Sequence, residues 1–352
     1  MLKAALIKAV KGGEPFINEL DLSGGDYQNA DLGGGTFQHV NFNGANLSGA
    51  SLKECNFINC DFTGANLRGA NLILANFIEP QGEGISLVGC NMRLASVIDA
   101  KFSHADLSHA NLDSTSFINP DFVGAKFNGA KLKQCNFING NLRAADFSQV
   151  DVFRANFIEC QMQGIMFTAA SLSLPFFMKI DFINYDFTAS KLDRPQFQEC
   201  QLNGANFTHM DISQAGFMSA NLQGANFSYV QAKQANFIKA DLSQANFQGA
   251  QMQQTLLQEA NLCRVNFSGV KAEQALVVKA DCTGAIFDGA DLTYADFSHA
   301  ILTKANLSNT LLYRTNLHEI IEQDTVWQNA DREVAMATDE TKKKAEQWQA
   351  AQ

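Results

Sequence analysis

Six histidines and eight cysteines are the side chains of this chain best suited to hold a metal or attack a substrate. Either chemistry needs company: a base beside a thiol, an acid to orient an imidazole, or further donors to close a metal shell. The histidines, His39, His104, His109, His209, His299 and His318, lie apart in the sequence. His104 and His109 fall on outward slots without an acidic orienter. No two cysteines have C-x-x-C spacing. Cys55, Cys60, Cys90, Cys135, Cys160 and Cys200 all sit at multiples of five, a slot mostly held by alanine, and so read as small buried residues. A phosphate-cradling glycine loop, a nucleophile elbow and a paired-carboxylate motif are missing. These residues predict no enzyme, no metal and no cofactor.

Charge narrows the partners. The formal net charge is −10 and the pI about 5.1, a balance that repels nucleic acid and anionic lipid. No stretch approaches the roughly 18 apolar residues of a membrane span. Lys3 and Lys8 interrupt the apolar start, and no small-residue cleavage site follows. The expectation is a cytoplasmic protein with no membrane span and no direct contact to nucleic acid.

The elements that position these residues follow from a repeat. An apolar residue stands at every position 5n+2 from Ile17 to Leu317, 61 in succession, and only Gly82, Ala232, Ala272 and Cys282 among them are small. Two residues earlier comes a small residue, and between them Asn or Asp, as in Ala45-Asn46-Leu47-Ser48-Gly49 and Ala295-Asp296-Phe297-Ser298-His299. A period of five suits neither a 3.6-residue helix nor a flat strand. It suits a coil that bends after each short extended piece. A second period, of twenty, is written in phenylalanine. Phe127, Phe147, Phe167, Phe187, Phe207, Phe227, Phe247, Phe267 and Phe287 mark one face, and a run from Phe37 to Phe237 broken at Val97 marks another.

This A-(D/N)-(L/F)-x-x pattern resembles the pentapeptide repeat family over roughly residues 17–317. The resemblance implies an all-β fold, a right-handed quadrilateral β-helix with four pentapeptides per coil. Ile17 to Leu317 would then make about 15 coils, a rod of roughly 70 Å at one strand spacing per coil. Residues 1–15 are expected to form an N-terminal capping helix, 16–320 the β-helix and 321–352 a C-terminal capping, helical tail. Two regions strain the pattern. Pro80 and Gly82 predict a bulge or a loosened corner. Ile165, Pro175, Ile180, Tyr185 and Pro195 overfill the small slot, so those coils must widen or kink.

One outward column is unlike the rest. Where most faces carry Ser, Thr, Asn, Lys or Gln after the central residue, this face carries Ile58, Ile78, Ile98, Ile118, Ile138 and Ile158, then Met178. Such a stripe is either a self-packing ladder or a protein-binding surface. A protein partner is expected, with the stripe or the C-terminal tail also able to serve a homodimer. The resemblance implies a non-enzymatic interaction scaffold or adaptor, in bacteria also an accessory of type VI-like secretion systems. Its alternative is a DNA mimic that binds, inhibits or protects DNA gyrase or topoisomerase IV. Against that stands charge density: a 70 Å duplex carries about 40 phosphates, and no insertion interrupts the repeat to supply a projecting loop.

Overall fold

In a computed structural model, which describes residues 1–12 and 15–348, every fifth residue turns the chain. From Glu19 to Asn329 each of these corner residues has a left-handed backbone, with φ near +60°, except Ala189. For a side chain with a Cβ that conformation costs about 1–2 kcal/mol, which is why glycine and asparagine recur there. The corner is held by two bonds. Its N–H donates to a carbonyl nineteen residues on (Asn59 to Ile78, 2.9 Å), and the small residue that follows donates back three residues (Ala45 to Phe42, 2.9 Å).

The Asn or Asp before each apolar residue has a local task. Its Oδ1 accepts the N–H two residues on: Asp21 from Ser23 at 3.0 Å, Asn41 from Asn43 at 2.9 Å, Asp61 from Thr63 at 2.8 Å. This is an Asx turn, and it pre-forms the bend toward the corner. The same side chains also bond along the axis, as Asn76 Nδ2 does to Asn56 Oδ1 at 2.9 Å.

Two compact units result, residues 1–181 with 189–191, and 182–188 with the chain from 192 on. In the first, short strands pair in parallel with a shift of twenty. Phe16–Asn18, Thr36–Gln38, Asn56–Ile58, Asn76–Ile78, Ser96–Ile98, Ser116–Ile118, Asn136–Ile138, Asn156–Ile158 and Phe176–Met178 make one flat sheet. Lys131–Lys133, Asp151–Phe153 and Ser171–Ser173 make a second. In the other unit single parallel bridges carry the same register, as in Asn206↔Asn226↔Asn246↔Asn266. The fold is an all-β parallel solenoid. Strand pairing accounts for about nine turns, fewer than the fifteen expected, because most faces keep only one residue of five in bridge geometry.

The core is the 5n+2 column. Phe37, Phe57 and Phe77 stack at centroid distances of 5.3 and 4.8 Å, and Phe207, Phe227 and Phe247 at 4.9 and 4.6 Å. Rings on adjacent faces meet edge-on, Phe127 with Phe137 at 5.8 Å. Each such pair is worth about 0.5–1.5 kcal/mol beyond burial. The small slot is buried and faces a carbonyl of the preceding coil: Cys55 Sγ donates to Leu32 O at 3.0 Å and Thr115 Oγ1 to Met92 O at 2.7 Å.

One expectation needs correction and another is narrowed to a single corner. Gly82 makes no bulge: Gln81 bridges Asp61 and Lys101 in register, and the Phe102 ring fills the vacated interior, so that a Cβ on Gly82 would lie 2.6 Å from it. In the overfilled stretch Ile165, Pro175, Ile180 and Pro195 are all accommodated as buried residues, and Tyr185 is half-buried. The expected irregularity falls within this stretch, at Ala189, whose carbonyl accepts from Ala169 N at 2.8 Å, twenty residues apart rather than nineteen.

Helix α1, Lys3–Lys11, buries Leu6 and Val10. Lys11 Nζ lies 2.9 Å from Asp31 and donates to Gly33 O, and Tyr27 donates its hydroxyl to Met1 O at 3.2 Å. Helix α2, Glu340–Gln347, has no buried residue and is capped by Asp339, whose side chain accepts from Thr341 and Lys342 N–H. Positions 13–14 and 349–352, parts of the expected cap and tail, lie outside the described residues. Among the described residues no helix is long and apolar enough to cross a membrane.

Candidate binding face and C-terminal cluster

The flat sheet of the first unit carries the isoleucine column. Register places Ile58, Ile78, Ile98, Ile118, Ile138, Ile158 and Met178 directly beside one another on successive strands. Each covers part of its neighbours, so most are half-buried, and Ile78 is the most open at 38 % exposure. The column is therefore a packed ladder with an outward apolar surface. Cross-strand apolar pairs of this kind add about 0.2–1 kcal/mol each. On one side runs an uncharged row, Asn56, Asn76, Ser96, Ser116, Asn136 and Asn156; on the other, the corner row Asn59, Glu79, Asp99, Asn119, Asn139 and Glu159. Leu74 and Leu94, at the preceding corner, are 41 % and 50 % exposed. These leucines do not stand out among the residues next to the interior column, because they sit at the corner. Their signal was legible: a leucine at a corner where the repeat mostly carries glycine or a polar side chain.

The second feature is at the C-terminus. His299 and His318, which stand apart in the sequence, meet in successive coils with ring centroids 5.3 Å apart, and Glu346 of α2 reaches both. Glu346 Oε2 lies 3.1 Å from His318 Nε2 and 3.3 Å from His299 Nε2. All three ligand atoms fall within 4.8 Å, a spacing a metal ion would accept. The buried His318 decides against it. Its Nδ1 accepts the Asp339 N–H at 3.1 Å, which leaves the ring proton on Nε2, donated to Glu346 and not available as a lone pair. The cluster is a clasp in which one imidazole holds both ends of α2, with Lys343 adding a 3.0 Å ion pair to Glu319.

The clasp has a pH limit. The hydrogen bond from His318 holds the Glu346 carboxyl below its usual value, and the N–H groups of Lys342 and Thr341 do the same for Asp339. A depressed carboxyl stabilises docking above its unfolded pKa, near 4.5 for Glu346, and loses that contribution as pH falls through the lower folded value. The amide resonances of α2 are thus expected to move toward free-helix or coil positions as the pH falls below about 4. Unchanged resonances at pH 3 would contradict the clasp.

Above the last core residues the interior positions turn polar. Trp327 Nε1 donates to Glu322 at 3.0 Å, Arg332 pairs with Glu322 at 3.0 Å, and the guanidinium lies 4.4 Å from the Trp327 ring centre. The other histidines stay apart, His209 stacking on Tyr229 at 5.2 Å. Burial pushes the Cys55 thiol up to about 12 and the Cys60 thiol to about 11, away from the nucleophilic range.

Comparison with known proteins now bears on the repeat. A sequence model of pentapeptide repeats, in eight copies, matches overlapping stretches that together cover residues 18–134 and 215–319, and a pentapeptide repeat region matches 150–227. The chain belongs to the pentapeptide repeat family. Among solved structures it is similar to a trypsin-treated form of QnrB1, a plasmid-mediated fluoroquinolone resistance protein, at 20 % identity over 43 % of this chain and 83 % of that one, with a TM-score of 0.27. Rfr23 from the cyanobacterium Cyanothece 51142 is similar at 23 % identity over 38 % and 90 %, with a TM-score of 0.23. HetL from Nostoc sp. strain PCC 7120, involved in heterocyst differentiation regulation, is similar at 17 % identity over 88 % and 96 %, with a TM-score of 0.16. None of these superpositions is close, so membership of the pentapeptide repeat family rests on the repeat itself. No curated protein sequence matches the chain.

Proposed function

We propose that this pentapeptide repeat protein is a non-enzymatic scaffold that holds a protein partner against its isoleucine face. The observation that carries this reading is the unbroken outward ladder Ile58–Met178 on the sheet, where other faces carry mostly polar residues. Six coils of it span roughly 24 Å, and an apolar strip of that length approaches the few hundred Å² at which exposed patches mark partners. Service as an accessory of a type VI-like secretion system is the finer form of the same reading. The alternative, a DNA-like ligand of gyrase or topoisomerase IV, has weaker support, because a net charge of −10 falls far short of a duplex of similar length.

The test compares the protein with an Ile78→Lys/Ile118→Lys variant by light scattering and by retention of partners from bacterial lysate. Both positions face outward, so circular dichroism should show the fold preserved, with melting lowered only by the lost ladder pairs, about 0.2–1 kcal/mol each. The variant is expected to lose the retained partner or dimer, a drop of about 100-fold or more for two desolvated lysines. Equal retention by both proteins overturns the reading, and inhibition of gyrase supercoiling by both would move the function to the alternative.

A further inference from the structure

We infer that docking on the scaffold face is centred on Leu74, Leu94, Ile78 and Ile98, and that it receives a basic, amphipathic segment of a partner protein. This rests on the scaffold reading and narrows it to two coils. Leu74 and Leu94 lie in adjacent coils, joined by the Leu74 N–H to Arg93 O bond at 3.0 Å, and Ile78 and Ile98 are paired across the same two strands. Between them sit only Asn76 and Ser96, paired and uncharged. Four apolar side chains thus bracket a neutral strip on the sheet.

Folding does not account for the leucines. Both hold a left-handed backbone, φ 60° and 59°, while being 41 % and 50 % exposed. That corner is common to the whole repeat and elsewhere takes mostly polar side chains such as Glu, Gln, Lys and His; at these two positions it carries an apolar one that recovers little burial. Exposed apolar side chains at strained corners fit a surface that is completed by something else.

The charge of that partner follows from the opposite edge. Glu79 and Asp99 directly follow Ile78 and Ile98, and both are exposed. Among the described residues neither enters a salt bridge; Asp99 accepts only the Asn119 amide, at 2.9 Å. No lysine or arginine stands in the isoleucine, asparagine or acidic rows between Asn56 and Ile158. A second copy laid face to face with these rows aligned would bring acid to acid at Glu79 and Asp99, while Arg93 and Arg154 lie on the leucine side. A segment with apolar side chains on one side and lysine or arginine along one edge satisfies both halves of the surface. Beyond the Pro80 corner a shallow groove of about 390 Å³, lined by Gln81, Glu83, Lys101 and Asp121 among others, offers polar contacts to the same segment.

The test uses two labelled probes, a short alternating Leu/Lys peptide and its Leu/Glu counterpart, titrated by fluorescence anisotropy at physiological salt. The Leu/Lys probe should bind and the Leu/Glu probe should not. Leu74→Asn/Leu94→Asn and Glu79→Lys/Asp99→Lys should each weaken binding about tenfold or more. Asparagine suits the left-handed corner, so the first pair should melt no lower than the wild type. A control with the same charge change elsewhere, Glu19→Lys/Glu259→Lys, should alter affinity less than about twofold. Equal binding of the two probes, or an equal loss in the control, overturns the inference. If Ile118→Lys/Ile138→Lys abolishes binding while the Leu74 and Glu79 pairs do not, docking lies farther along the ladder: this centre is refuted and the scaffold survives. If none of the face variants matters, both fall.

Discussion

Phe137→Ala is expected to destabilise the protein by about 3–5 kcal/mol, the cost of deleting a fully buried ring. Phe137 has no exposed surface and is packed on four sides. It stacks on Phe117 at 4.9 Å and Phe157 at 5.1 Å, and meets Phe127 and Phe147 edge-on, each at 5.8 Å. The solenoid backbone above and below is fixed by parallel pairing at a constant spacing, so the cavity cannot collapse by a local shift. In a stack of near-identical coils the loss should also stay local. Hydrogen exchange is expected to quicken in the strands around residues 117–157 and to remain slow in distant coils. A variant with unchanged melting and uniform exchange would show that the phenylalanine ladder is not what holds the coils.

Leu6→Ala is expected to cost about 2–5 kcal/mol and to make the protein self-associate. Leu6 is fully buried although it lies in the amphipathic α1 outside the repeat. Its helix covers the start of the β-helix, held by the Lys11–Asp31 pair and the bonds of Lys3 to Gln28 O and of Tyr27 to Met1 O. Among the described residues the first strand, Phe16–Asn18, pairs only with Thr36–Gln38, and an uncovered strand edge is a template for another chain. Light scattering should therefore rise with concentration in the variant. A monodisperse, equally stable variant would mean that α1 is not a cap.

Much of this was legible in the sequence, for a physical reason. A period of five sends every fifth side chain inward, and stacking at twenty makes like residues meet. The phenylalanine ladders, the buried cysteines and the isoleucine column could thus be placed by counting. What counting could not supply depends on packing across coils. Gly82 reads as a defect until Phe102 is seen filling its space. The overfilled slots at Ile165 to Pro195 read as a widened or kinked stretch, and counting could not say that the large residues themselves fit and that the departure sits at the Ala189 corner. His318 and Glu346 are 28 residues apart, and the second lies beyond the repeat. No period relates them, so only the docked α2 brings them together. Leu74 and Leu94 were visible as letters, yet their meaning needs the left-handed corner that makes leucine costly.

The most direct test of the scaffold account is a carbene footprint of the protein, free and bound to the partner it retains. Labelling of Leu74, Leu94 and the isoleucines from Ile58 to Ile158 should fall on binding, with Glu79 and Asp99 protected at the edge and the other faces unchanged. Protection confined to another face or to α2, with the isoleucine column labelled as in the free protein, would contradict it.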